Sequence, residues 1–261
     1  MNIDQDSHFQ VFSIGFVRNP FSTRSEVPVV GGPAVIEVLP RFVEGLEAIG
    51  RASHIIVLAF LHLADRGVLR ARPRRVDPAA PLCGVFASRS PDRPNPVSVT
   101  VMPLLRVEGN RLHVDHCDLM DGTPVIDIKT YSPGMDCVFC AATVRRARVS
   151  ATSDELLRAF LVRDLENHVG SEQARSPASR AALDAVLWAV RRFDADARDG
   201  AFRVTTNRGG ETVDALMALM GATWASGRVQ VSDWEGPTRF VFEYAGQRAS
   251  VTVTPDGQRE G

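Results

Sequence analysis

One lysine occurs in the chain; apart from Lys129, all of its 30 Lys+Arg residues are arginine. The stretch that holds it, Asp121-Gly-Thr-Pro-Val-Ile-Asp-Ile-Lys129-Thr-Tyr131, sets it between Asp127 and Tyr131. Lysine is a compact charge on a flexible stem and shifts its pKa readily, whereas arginine is a planar fork that stays charged. Asp127, Lys129 and Tyr131 are therefore candidates for holding or moving a proton. Asp118 and Asp121, just upstream, add two carboxylates. Buried charges need a partner or a ligand. An ion-paired turn on a solvated edge, Asp127 with Lys129, is the alternative reading of the same residues.

A second stretch, Gly84 to Val99, reads GVFASRSPDRPNPVSV. Pro91, Pro94 and Pro96 fix φ, and the residues before them are pushed towards extended geometry. Arg89, Arg93 and Asn95 are expected to project from a loop that is stiff before a ligand arrives, so ordering it on binding costs little. The same loop could instead be a connector with solvated arginines.

Other chemistries find less support. Cys83, Cys117, Cys137 and Cys140 are too few for a disulfide scaffold. Cys137-Val-Phe-Cys140 is one CxxC, and the adjacent His116 and Cys117 would point to opposite faces of a strand, so no metal is expected. No glycine-rich dinucleotide fingerprint, P-loop or G-x-S-x-G elbow occurs.

The elements that must position these residues change character along the chain. Phe9–Val17, Ala34–Val38, His54–Leu63, Val97–Val107 and Arg111–Cys117 read as strands. His54–Leu63 is a continuous apolar run that suits a buried strand, and Glu108-Gly109-Asn110 marks a hairpin. Phe42–Ile49 reads as a short helix. Turns every ten or so residues favour a barrel or sandwich.

Helices then dominate. Thr152-Ser-Asp-Glu155 has capping-box spacing, Ser176-Pro177 opens a second helix, and Thr212–Met220 is a third that stops at Gly221. Val229–Ser232, Arg239–Tyr244 and Ala249–Thr254 close the chain as strands. The class is α+β, with a boundary near 141–150, where Arg145, Arg146 and Arg148 cluster.

With 261 residues, 44% hydrophobic content and net charge −1, the chain has the composition of a globular protein without a global basic field. The N-terminus lacks a basic start followed by an apolar run, and no apolar run reaches membrane-spanning length. A cytoplasmic protein without membrane attachment is expected.

FASRSPDRPNPVSV followed by DLMDGTPVIDIKTYSP resembles the TsaA-like (TrmO) family of S-adenosylmethionine-dependent methyltransferases. SIGFVRNPFSTRSEVP and FVEGLEAIGRASHIIVLAFLHL extend the resemblance over roughly residues 11–134. It implies a β-barrel domain over residues 1–140, a homodimer, and S-adenosylmethionine as cofactor. The implied substrate is tRNA, methylated on N6 of threonylcarbamoyladenosine next to the anticodon. Carried over by motif, the cofactor contacts are Pro28, His62, Leu63, Arg89, Val99 and the run Asp118-Leu119-Met120-Asp121. Arg93 and Asn95 are expected on the substrate side.

Several positions depart from the family pattern. Val29 and Val30 replace polar residues, Leu63 stands for a glutamine, Val97-Ser98 for Ile-Gly, and Thr130 for a proline. These changes leave open a small-molecule metabolite as the methyl acceptor, and a cofactor-binding sensor without catalysis as a third reading. The second half, Phe202 to Val253, resembles the FmdE-like domain, which implies a smaller α+β accessory domain over residues 150–261. Of that family's metal ligands only His168 remains, so the domain is expected to shape a substrate site or mediate dimerisation rather than hold metal.

Overall fold

The computed structural model describes residues 9–72, 75, 80–138, 152–253 and 259–260. It divides into two compact units, Met1–Arg145 and Arg146–Gly261. Residues 141–150, the expected boundary with its arginine cluster, lie outside the described residues, as does Cys140.

In the first unit six strands close into a barrel: β1 (Gly15–Arg18), β2 (Gly32–Val38), β3 (His54–Phe60), β6 (Val97–Glu108), β7 (Arg111–Cys117) and β8 (Pro124–Thr130). Their order around the barrel is β1-β2-β7-β6-β3-β8. A small ribbon of β4 (Arg70–Ala71) and β5 (Cys83–Gly84) stands apart. Closure pairs every strand on both sides and leaves no open edge.

Period-2 alternation turns Val17, Ile36, Val38, Ile55, Val57, Ala59, Met102, Leu112, Val114 and Val125 inward to form the core. Ile36, Ile55, Met102 and Leu112 are fully buried, each contributing about 1.5–3 kcal/mol of apolar burial. The hairpin between β6 and β7 turns at Gly109 and Asn110, with Gly109 at φ +60°.

Two expectations are corrected. His54–Leu63 is not buried on both faces: in β3 only Ile55, Val57 and Ala59 enter the core, while Ile56, Leu58 and Phe60 face outward and are half-buried. The run is continuous because both faces are apolar. Phe42–Ile49 forms a 3-10 helix over Pro40–Leu46 and a second over Ile49–Arg51. Pro40 opens the first, and Gly45 together with the left-handed Ala48 prevents a longer helix. Phe42, Leu46 and Ile49 pack against the barrel core.

After a one-turn helix, α1 (Pro133–Asp136), the second unit has α2 (Asp154–Val169), α3 (Ser171–Ala174), α4 (Pro177–Phe193) and α5 (Glu211–Met220). Its strands are β9 (Arg203–Thr206), β10 (Val229–Val231), β11 (Thr238–Tyr244), β12 (Gln247–Val253) and β13 (Arg259–Glu260), in the order β10-β9-β11-β12-β13. β9, which the sequence reading left unassigned, runs parallel to β10 and is joined to it through α5. The N-cap of α2 is Ser153, one residue after the expected Thr152, and its hydroxyl accepts from the Leu156 N–H at 3.2 Å. Phe202, Phe240, Phe242, Leu216 and Leu219 centre a core between helices and sheet. Arg228 is buried, but its guanidinium donates to the carbonyls of Arg198, Asp199 and Met220. No helix among the described residues is long and apolar enough to cross a membrane.

Candidate functional site

Four segments meet at one end of the barrel, and hydrogen bonds tie them in sequence. The turn after β7 is held to the segment after β1: Asn19 donates through Nδ2 to the Leu119 carbonyl at 2.8 Å and through its backbone N–H to Asp121 Oδ1 at 3.1 Å. The Asp121 N–H returns a bond to the Phe21 carbonyl at 2.8 Å. Gly31 closes the next segment on β7; its φ is +81°, and an added Cβ would lie 2.4 Å from the His116 carbonyl. Only glycine fits there.

Arg24 then bridges to the loops after β3 and before β6. Its guanidinium donates to the Leu63 carbonyl at 2.7 Å and to both oxygens of Asp92, at 3.1 and 3.2 Å. Asp92 also accepts from the Asp65 N–H at 2.9 Å, and Arg66 donates to the Pro94 carbonyl at 2.9 Å. Burial by itself would raise the Asp92 carboxyl, but Arg24 and the Asp65 N–H outweigh it and hold the group below its ordinary value. Pro28, His62, Leu63, Arg89 and Asp118–Asp121 thus share one end of the barrel.

Among these residues Arg89 is exposed and donates to the Val99 carbonyl at 3.0 Å. Asp118, also exposed, accepts from the inward-facing Thr100 hydroxyl at 2.7 Å. A cation and a carboxylate are therefore anchored to neighbouring residues of β6. Val99 and Leu63 leave apolar side chains 47% and 62% exposed at this end. His62 sits exposed in the turn after β3, Pro28 is half-buried, and Asn95 is exposed.

Arg93 does not project as expected. It folds back and donates to the carbonyls of Ser90 at 2.8 Å, Val85 at 2.9 Å and Ser88 at 2.7 Å. The prolines remove N–H donors from the loop, and the Arg93 fork supplies donors to its carbonyls instead. The Leu119 side chain is 4% exposed within the barrel core, while its carbonyl accepts from Asn19.

The aspartates separate into two groups. Asp118 and Asp121 lie at the barrel end, whereas Asp127 and Lys129 lie along β8. The expected Asp127–Lys129 ion pair forms, on a strand rather than in a turn. Nζ lies 2.6 Å from Oδ2, with side chains 42% (Asp127) and 61% (Lys129) exposed. Leu58 of β3 is the register partner of Asp127 on one side and of Val99 on the other. Directly paired residues share a face, so Asp127, Leu58 and Val99 form one outward row, with its ends roughly 10 Å apart at two strand spacings.

On the other side of Asp127 a cleft of about 340 Å³ is lined by Ile14, Val38, Phe42, Leu46, Ile49 and Ile128, with Arg41 and Glu44 among its polar groups. The Arg41 guanidinium lies 4.8 Å from the Phe42 ring centroid.

Tyr131 is not brought to Asp127. It lies four residues further along, roughly 13 Å in an extended chain, with its ring 6.4 Å from that of His54. Burial, together with Cys137 and Asp136, raises its phenol above the ordinary value, so it stays protonated and is a poor proton acceptor at neutral pH. Among the described residues no group of three or more His, Cys, Asp or Glu side chains is arranged to hold a metal ion.

Sequence reasoning missed Asn19, Arg24, Asp92 and Thr100. The only available signals were polar residues beside turn-forming prolines at Asn19-Pro20 and Pro91-Asp92, and these do not say which loop each one reaches.

A closed antiparallel barrel with a hydrogen-bonded set of loops at one end is a binding scaffold, with the ligand-facing groups supplied mainly by its loops. The profile of the tRNA-methyltransferase O N-terminal domain matches residues 16–137. An S-adenosyl-L-methionine-binding protein of Archaeoglobus fulgidus is 43% identical over 129 residues, covering 48% of this chain and 91% of that one. A Methanothermobacter thermautotrophicus protein, described as a probable S-adenosyl-L-methionine-binding protein, is 40% identical over 135 residues, 50% of this chain and 96% of its own. The chain belongs to the TrmO (TsaA-like) methyltransferase family. Crystal structures of TrmO, one of them from Pseudomonas aeruginosa, align at 34% and 33% identity, each with a TM-score of 0.45. Both alignments cover 53% of this chain and less than two thirds of the solved chains, 64% and 62%.

Proposed function

We propose that the chain transfers a methyl group from S-adenosylmethionine to N6 of threonylcarbamoyladenosine in tRNA, next to the anticodon. The observation that carries this reading is the row Asp127–Leu58–Val99, which links the carboxylate beside the cleft to the backbone that anchors Arg89. The residues present fit the cofactor's chemistry. Arg89 can take a carboxylate, Asp118 and Asp121 suit a positive sulfur or ribose hydroxyls, and Val99 and Leu63 offer apolar contact. When bound, the cofactor supplies an electrophilic methyl whose bond to sulfur breaks as the bond to nitrogen forms.

The protein's own contribution is alignment and proton removal. The braced loops hold Arg89 and Asp118 in place before binding, which cuts the entropy of reaching the reactive geometry. The cleft beside Asp127, walled by Phe42 and Leu46, accepts a flat base. Asp127 takes the proton leaving the acceptor nitrogen at a carboxylate oxygen, and Lys129 holds that carboxylate in position through the 2.6 Å ion pair. The Lys129 ammonium takes Oδ2 while the Ile128 N–H donates to Oδ1 at 2.9 Å, so each oxygen keeps a lone pair for the proton, which a bidentate planar fork would occupy.

In this reading the chain works in the cytoplasm as a homodimer. The outward Val99 and Val101, 47% and 44% exposed, belong to the surface that a second copy would cover; a monomer mass in light scattering contradicts the dimer. The second unit is an accessory domain.

A small-molecule acceptor is the second reading, favoured by the net charge of −1. Incubating the protein with S-adenosylmethionine and tRNA from a strain lacking the mark, then digesting to nucleosides, separates the two. The methylated nucleoside appears if the acceptor is tRNA. Its absence, with cofactor binding intact, refutes the tRNA reading.

A further inference from the structure

The second unit has a cleft of its own, of about 240 Å³, on its five-stranded sheet; Trp234, Glu235, Arg239, Ser250 and Thr252 line it. It lies on the sheet face opposite the helices. Phe240 and Val251 are register partners that enter the helix-side core, while their neighbours Arg239 and Thr252 pair on the other face.

The wall that carries Trp234 is clamped from β9. Asn207 donates through Nδ2 to the Trp234 carbonyl at 3.1 Å and the Pro237 carbonyl at 3.0 Å, and its Oδ1 accepts from the Arg239 N–H at 2.9 Å. Arg208 adds bonds to the Gly236 carbonyl at 2.8 Å and the Thr238 hydroxyl at 3.1 Å. Trp234 is 36% exposed, and the Arg239 guanidinium lies over its ring, 5.7 Å from the centroid, leaving the other face for a ligand. Arg239 also reaches the Ser250 hydroxyl at 3.3 Å.

A pre-set indole face, one cation, one carboxylate and two hydroxyls within one cleft suit a flat ring that carries an anion and hydrogen-bonding edges. Further along the same face, Arg203 and Arg248 flank Glu243, roughly 13 Å from Arg239 along β11. Val241, between Arg239 and Glu243 on that face, is buried, and Arg248 pairs with Glu243, so Arg239 is the cation that serves the cleft.

We propose that this cleft binds one nucleotide of single-stranded RNA, with its base stacked on Trp234, its phosphate on Arg239, and Glu235 accepting from the base edge or a ribose hydroxyl. Stacking on an aromatic ring backed by an arginine is how bases are held with little dependence on sequence. The inference rests on the RNA reading of the acceptor for its choice of polymer.

The test uses the full chain without S-adenosylmethionine and a fluorescently labelled short oligoadenylate, followed by polarisation. Saturable binding is expected, weakened about tenfold by Trp234→Ala and less by Trp234→Phe. Arg239→Gln should weaken binding and flatten its salt dependence. Melting curves report whether each variant folds, and the Phe variant keeps the ring in case the Ala variant does not. Equal affinity in folded Trp234→Ala, no binding at all, or equal competition by duplex RNA or free adenosine monophosphate overturns the proposal. Because no turnover is read, this result and that of the methyl-transfer assay can fail independently.

Discussion

Asp127 and Val99 pair with the same residue, Leu58, from opposite sides, and so face outward together two strands apart. Register rather than loop conformation fixes this relationship. A one-residue slip of β8 would turn Asp127 into the barrel. The irregularity between Leu58 and Ala59 lets Val125 and Ile128 both face the core while Asp127 and Lys129 stay outside.

Asp127→Asn removes the proposed proton acceptor without changing side-chain size. Turnover should fall about 10²–10⁴-fold in single-turnover assays, with cofactor affinity unchanged. Lys129→Arg should lower turnover less and leave the fold intact. Full activity in both variants contradicts the assignment.

Arg93 braces the proline loop rather than facing substrate. Arg93→Ala leaves three carbonyls without their charged donor, and the stability loss should be about 1–3 kcal/mol in urea titration. Arg93→Lys should rescue little, because one ammonium cannot reproduce the fork's separate bonds. A wild-type urea midpoint in the Ala variant contradicts the brace.

Much of the barrel was legible because alternation and turn residues are local signals. β7 was readable end to end as Arg111–Cys117, and the hairpin at Gly109 could be placed from the residues alone. β3 was readable as a strand, but its two faces were not distinguishable, since Ile56 and Leu58 outside are as apolar as Ile55 and Val57 inside. The orientation of Arg93 was not legible: an arginine between prolines looks the same whether it reaches outward or back to its own carbonyls. The Arg24–Asp92 bridge spans 68 residues, and no local pattern announces such a contact. The separation of Asp118 and Asp121 from Asp127 likewise depends on where β8 begins.

Cys117 is fully buried in the barrel core, and burial pushes its thiol up to about 12. With no thiolate near neutral pH it should resist iodoacetamide while the partly exposed Cys83 and Cys137 react. Peptide mapping after timed alkylation checks this. Labelling of Cys117 at the rate of Cys83 contradicts the packing.

His54 carries a lowered pKa, first from burial and then from the nearby His116. The folded state therefore binds fewer protons than the unfolded state as pH falls through the ordinary histidine value. Stability should be highest above that value and decline on acidification through and below it. His54→Gln should flatten this part of the urea-midpoint profile against pH. An unchanged profile contradicts a role for His54.

The central claim is that the braced loops and the carboxylates at the end of the barrel bind S-adenosylmethionine, and calorimetric titration of the purified chain tests it most directly. Saturable binding is expected, weakened by Arg89→Ala by about 1.5–3 kcal/mol and reduced also by Asp118→Asn, with both variants folded. An absence of heat and saturation in the wild-type chain, or equal affinity in all three proteins, would contradict it.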